Sequence, residues 1–202
     1  MKINDFLENV AGGQPTPGGG SAAAFAGSLS SALVRMVSNI TLKKLEGERQ
    51  EKFKSLEEQA GVLQNELWRL VDRDAESFNQ VMNAFRLPRE TPEEKEKRKE
   101  EIQKAFQGAA EVPLETMEKA LQVGKLALTV MREGNPNCIT DAAVGFLLAH
   151  ACIKGAALNV RINLDSIKDE EFTEKAVKGV DRLLEEATHL EDEMNRLIEE
   201  NI

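Results

Sequence analysis

A stripe at alternating three- and four-residue steps runs through the second quarter of the chain: Phe53, Leu56, Ala60, Leu63, Leu67, Leu70, Asp74, Ser77, Val81 and Ala84. Such spacing lays side chains along one face of a helix. All are apolar except Asp74 and Ser77, which are neighbours on that face. A carboxylate at a core position is costly unless it is paired, protonated or facing a cavity. Desolvation raises its pKa, which suits a general acid or base working near neutral pH. A structural role stays open at this point: Asp74 pairing with a buried Lys or Arg, or the helix turning outward there.

A second break in the pattern is the turn Pro15-Thr-Pro-Gly-Gly-Gly-Ser21. Gly18, Gly19 and Gly20 let backbone approach a ligand closely, and the free N–H groups of a following helix favour an anion. No Gly-Lys-Ser or Gly-Lys-Thr follows, so this is not a phosphate loop. The polar turn from Gly134 to Asp141 opens onto another apolar helix in the same manner. The two turns are expected to frame one pocket. Candidate bases are Lys43 and Lys44, closing one helix, and Arg86, beside Leu87-Pro88. Capping explains the lysines as well as ligand binding does. Asn159 and Asn163 lie one turn apart, and Asn159 also fits a core hydrogen-bonding role. His150 and His189 have no metal-ligand spacing and neither Cys138 nor Cys152 has a His partner, so no metal site or thiol chemistry is expected.

The elements that position these residues read as helices throughout. Six are expected: Ile3 to Ala11, Ser21 to Lys43, Gln50 to Phe85, Pro92 to Arg132 with Pro113 kinking or splitting it, Asp141 to Asn163, and Asp169 to Glu199. Thr91 before Pro92 is a good cap. The last helix carries a packing seam: Ala176, Val180, Leu183, Ala187, Leu190, Met194 and Leu197. Helices of this length pack side by side, giving an all-α, elongated up-and-down bundle in one domain over residues 1–202. The second and fifth helices are rich in small residues and apolar all round, so part of their burial is expected from a second copy in a homodimer.

Composition agrees. Of 202 residues 41% are hydrophobic but only 4% aromatic, with no Tyr, which favours helix packing over a β-sandwich. The net charge of −9 disfavours nucleic-acid binding. No signal peptide or continuous apolar run of membrane-spanning length stands out, so a cytoplasmic protein without membrane contact is expected.

Taken in order, Pro17-Gly-Gly-Gly-Ser21, Val71-Asp-Arg-Asp-Ala-Glu-Ser-Phe78, Arg86-Leu-Pro88 with Thr91-Pro-Glu-Glu-Lys95, Val112-Pro113-Leu114, Gly134-Asn135 through Asp141, and Asn159-Val-Arg-Ile-Asn163-Leu carry a resemblance. The chain resembles the cyclodeaminase domain of formiminotransferase-cyclodeaminases. The resemblance implies an all-helical dimer that closes 5-formiminotetrahydrofolate to 5,10-methenyltetrahydrofolate and releases ammonia. It places the catalytic aspartate on Asp74. It implies a folate substrate and no further cofactor, with Gly18, Gly19, Gly20, Ser21, Lys43, Lys44, Arg86, Asp141 and Asn159 as candidate binding residues. The transferase domain of the bifunctional enzymes is missing from this sequence, so a separate formiminotransferase is the expected partner. Stand-alone relatives include methenyltetrahydrofolate cyclohydrolases, which open the same ring with water. A non-catalytic helical adaptor explains the bundle, but leaves Asp74 and the glycine turn without a role.

Overall fold

A computed structural model of the protein describes residues 2–201. Its helices are α1 (Ile3–Ala11), α2 (Gly19–Leu42), α3 (Gly47–Phe85), α4 (Pro92–Glu133), α5 (Ile139–Leu164) and α6 (Glu170–Asn201), with one 3-10 turn at Pro136–Cys138. No strand occurs among the described residues. The all-helical reading therefore holds, and the differences are local.

The start of α4 shows how the sequence sets an element. Thr91 Oγ1 accepts the Glu94 N–H at 3.2 Å, and Glu94 Oε2 accepts the Thr91 N–H at 3.1 Å. This reciprocal box, with Pro92 in the first turn, satisfies donors that a helix start otherwise leaves free. Pro113 does not split α4, which runs unbroken for 42 residues. Proline has no N–H to give the carbonyl four residues back, at Ala109. Asn163 of α5 supplies it instead, its Nδ2 lying 2.9 Å from the Ala109 oxygen.

α2 and α5 form the centre and run antiparallel. A Cβ added at Gly155 would lie 3.3 Å from Ala23, one at Gly27 2.9 Å from Cys152, and one at Gly145 3.4 Å from Leu33. The Ser30 hydroxyl donates to the Gly145 carbonyl at 2.6 Å, a contact that bulkier side chains would hold apart. α3 packs on α2, α4 spans α3 and α5, and α6 covers α4 and α5. Gly27 thus faces the protomer's own core, against Cys152 and Leu67, and not an outer surface.

Each central helix leaves one face uncovered. Leu29 and Met36 on α2, and Val144, Leu147, Leu158 and Ile162 on α5, are exposed, the last two to 66%. Within Pro136–Leu164 an 18-residue window reaches a mean hydropathy of 1.5, enough by length and composition alone to span a membrane, although Asp141, His150 and Lys154 interrupt any continuous apolar run. Over half of it is buried in the bundle, as a core helix should be.

Candidate functional site

Every apolar member of the α3 stripe is buried, as is Ser77. Asp74 is only half-buried, because the stripe leaves the core there and reaches a cavity of about 370 Å³. The cavity lies between the Pro15–Gly20 turn, the C-terminal part of α3, the middle of α4 and the C-terminal end of α5. Its floor is Asp74 and Ser77; its walls include Phe78, Met82, Phe85 and Phe106.

Ser21, fully buried in the first turn of α2, fixes the carboxylate. Its Oγ is 2.9 Å from Asp74 Oδ2 and 3.0 Å from the Val71 carbonyl oxygen, so one hydroxyl proton is shared between two acceptors. Gly20 explains the glycine turn. A Cβ there would overlap Asp74 Oδ1 and lie 2.6 Å from its Cγ, so only glycine allows the helix start and the carboxylate to meet. The Ser21 backbone N–H in the first turn of α2 also favours the charged Asp74 carboxylate.

Among the described residues no Lys or Arg pairs with Asp74, so the buried ion-pair reading falls. Burial pushes the Asp74 carboxyl above its ordinary value of 3.8, against the Ser21 hydroxyl and backbone, which pull it down. A lone carboxyl with a raised pKa on an aromatic-walled cavity is equipped to accept and return a proton.

Of the residues expected at the site, Gly18, Gly19, Gly20, Asp74 and Asn159 line the cavity and Ser21 touches it through Asp74. Arg86 caps α3 at the same end, beside Phe85, with its Nη1 3.5 Å from Asn83 Oδ1, and does not line the cavity. Lys43, Lys44 and Asp141 lie elsewhere. α2 is 24 residues long, so Lys43 and Lys44 stand about 36 Å from its glycine start at 1.5 Å per residue. There, Lys44 and the Gly134–Asn137 turn line a separate cavity of about 270 Å³. The two polar turns do not frame one pocket in a protomer, because α2 and α5 are antiparallel and their N-terminal turns fall at opposite ends.

The residues missed from sequence are Phe78, Met82, Phe85, Phe106 and Ile162. Three were within reach of the stripe argument: Phe78 and Met82 stand one and two turns beyond Asp74, and Phe85 three. Nothing local marks Phe106, which meets Phe85 edge-on at 6.0 Å.

Comparison with known proteins gives the family. Residues 2–182 match the family model described as formiminotransferase-cyclodeaminase. A methenyltetrahydrofolate cyclohydrolase of Methylorubrum extorquens is 38% identical over 99% of this chain and 97% of its own length. The formimidoyltransferase-cyclodeaminase of Gallus gallus is 36% identical over 92% of this chain, which covers 34% of that longer protein. In structure, the formiminotetrahydrofolate cyclodeaminase of Thermotoga maritima superposes with a TM-score of 0.88 at 26% identity, over 98% of this chain and 96% of that one. With the fold, the length and the family model in agreement, the chain belongs to the formiminotransferase-cyclodeaminase family, a family of folate one-carbon enzymes.

Proposed function

We propose that the Asp74 cavity closes 5-formiminotetrahydrofolate to 5,10-methenyltetrahydrofolate with release of ammonia. The observation that carries the reading is a single carboxyl, raised in pKa by burial and held by Ser21, on an aromatic-walled cavity with no base among its lining residues. In the reaction, folate N10 attacks the formimino carbon, and the bond from that carbon to the amino nitrogen breaks. A proton leaves N10 and one reaches the departing nitrogen. One carboxyl beside both can accept the first and donate the second, and a raised pKa poises it for both acts. The walls keep bulk water from competing at the methenyl carbon. The test follows the rise of methenyltetrahydrofolate absorbance from 5-formiminotetrahydrofolate; no rise with active, folded enzyme overturns the reading.

A second reading is methenyltetrahydrofolate cyclohydrolase, favoured by the end-to-end match to the Methylorubrum protein. Here the same carboxyl takes a proton from water as it adds to the methenyl carbon and returns it to N5 as the C–N5 bond breaks, while the remaining hydroxyl proton is lost to solvent as the formyl C=O forms. Loss of methenyl absorbance, faster than the uncatalysed loss and without activity on the formimino compound, selects this reading.

We infer further that the protein is a homodimer built on the uncovered faces of α2 and α5. Ile162 belongs both to that face and to the cavity, so the partner closes the cavity's open side. On this inference a two-fold axis across the middle of α2 would bring the partner's far end to the Asp74 end, which would give Lys43, Lys44 and Asp141 a role in binding. Light scattering should read twice the 22.3 kDa chain mass. At substrate well below saturation, mixing Asp74→Asn with Lys44→Ala protomers should restore one good site per mixed dimer; a strict average of the parents' activities there removes the shared-site part.

A further inference from the structure

The hydrogen bonds of two asparagines determine what the cavity offers a ligand. Asn163 Nδ2 lies 2.9 Å from the Ala109 oxygen and 2.8 Å from the Asn159 oxygen. Its two amide N–H groups are therefore both spent on backbone carbonyls, one of them the carbonyl that Pro113 leaves without a donor. Flipping the amide would set its oxygen against two carbonyl oxygens, so the orientation is fixed. Asn159 Nδ2 donates to the Gly155 oxygen at 2.8 Å, which orients that amide in the same way. Asn163 is left with Oδ1 alone and Asn159 with Oδ1 and one amide N–H, and both residues line the cavity.

The polar side chains around the cavity are thus dominated by acceptors: the Asp74 carboxylate and the two amide oxygens. The Ser77 hydroxyl is turned inward to the Asp74 carbonyl oxygen at 2.8 Å, and no Lys, Arg or His lines the space. At the start of α2 the Ser21 hydroxyl and backbone N–H are turned to Asp74. An anionic ligand group here would meet unpaired acceptors at full desolvation cost. A ring rich in N–H donors would meet partners.

Building on the folate reading above, we propose that Asn159 and Asn163 are the residues that read the reduced pterin, accepting from its ring and exocyclic N–H groups, and that the substrate's carboxylate tail points out of the cavity. A tetrahydropterin carries donors at N3, N8 and the 2-amino group, whereas the other half of the molecule ends in carboxylates. The walls Phe78, Phe85 and Phe106 supply flat apolar surface for the ring systems. The orientation also puts the N5–N10 edge, where the chemistry occurs, between the buried ring and the mouth.

The test uses two fragments of the substrate, 6-methyltetrahydropterin and p-aminobenzoylglutamate, titrated by calorimetry beside folinic acid. Asn159→Leu keeps the side-chain volume and removes the acceptor and the amide N–H donors, whose one protein bond is to the Gly155 carbonyl within α5, so it is the variant least disturbing to the fold. It should weaken 6-methyltetrahydropterin and folinic acid about tenfold each, and leave p-aminobenzoylglutamate unchanged. Asn163→Leu should do the same with a lower melting temperature, since the Ala109 carbonyl loses its donor. If Asn159→Leu weakens p-aminobenzoylglutamate and spares the pterin, the orientation is reversed and the proposal fails. It fails equally if wild-type protein binds folinic acid and Asn159→Leu changes neither fragment. If none of the three binds wild-type protein, it is the folate reading itself that falls.

Discussion

The two ends of the central helix pair carry similar parts and differ in how their charges are settled. At the Asp74 end a glycine turn opens α2, and a carboxylate faces a cavity without a basic partner. At the far end Arg49 and Lys52 are already answered, while Lys43 and Lys44 stand exposed. Arg49 donates to the Glu133 carbonyl oxygen at 3.2 Å, and Lys52 bridges the Glu133 carboxylate at 2.6 Å. Asn135 N–H is taken by Thr41 Oγ1 at 2.9 Å. The far end is a satisfied junction between helix termini, where cations also suit the C-terminal ends of α2 and α4. The Asp74 end holds an unpaid desolvation cost, and such a cost persists where a group is needed for chemistry. Net polarity alone does not separate the ends; the balance of partners does.

The largest effect should come from breaking that imbalance. Asp74→Asn keeps the shape and cannot carry a proton at neutral pH, so the maximal rate should fall about 10²–10⁴-fold. Thermal stability should hold or rise, because a desolvated charge becomes a neutral amide. Asp72, two residues earlier and exposed, points away from the cavity, so Asp72→Asn should keep full activity. Activity retained in folded Asp74→Asn would reduce Asp74 to a structural group.

How much of this was legible beforehand follows from what periodicity can carry. The stripe named Asp74 because a helix face is a one-dimensional property, and the buried residues of α3 sit at the expected three- and four-residue steps. The glycine turn was legible as a close approach, though what approaches, the Asp74 carboxylate, was not. Periodicity is silent on which helices run antiparallel, and that is why Lys44 and the Gly134–Asp141 turn were placed at the wrong end of the protomer. Pro113 was read as a break because its cure, the Asn163 amide, comes from another helix 50 residues on. Ser21 was expected as a ligand contact, whereas in the structure it reaches Asp74 first.

Ser21 gives the next effect in size. Ser21→Ala removes a hydrogen bond to the charged carboxylate, and such bonds contribute about 1.5–3 kcal/mol. The rate should drop by about tenfold or somewhat more. The direction of the pH profile is the sharper reading. Losing a donor to the carboxylate raises its pKa further, so the limb that Asp74 sets should move to higher pH. A lowered rate with an unmoved limb would mean that Ser21 holds helix against helix and not the carboxyl.

Smaller still is the effect expected at the far end. Lys44 is exposed and closes α2, so Lys44→Ala should leave the fold intact. If the proposed shared-site dimer holds, Lys44 contacts the substrate away from the reacting atoms, and such a contact is held equally in ground and transition states. Apparent affinity should weaken several-fold with the maximal rate unchanged. A fall in the maximal rate instead would move Lys44 into the chemistry, and no change at all would leave the far end purely structural.

The least effect, on stability alone, contrasts Asp74 with a buried histidine of the bundle. His150 is buried on α5, stacked on Phe146, with Nε2 3.4 Å from Glu191 Oε2 but not hydrogen-bonded to it. Burial lowers its pKa from 6.5; Glu191 opposes that shift and Lys154 adds to it. A histidine with a depressed folded pKa binds fewer protons folded than unfolded just below 6.5. Its contribution to stability is therefore present above 6.5 and lost as pH falls through the lowered value. Asp74 has the opposite sign: its raised pKa makes the folded state hold a proton longer, so its contribution is present below 3.8 and lost as pH rises through the raised value. Melting temperatures measured from neutral pH downward should fall for the wild type as pH drops below 6.5. The fall should flatten in His150→Leu and persist in Asp74→Asn. Asp74→Asn should instead lose the decline that accompanies rising pH on the acid side. Should His150→Leu melt with the wild-type pH slope, Glu191 has already drawn the proton onto His150 in the folded state, and burial is not the stronger influence there.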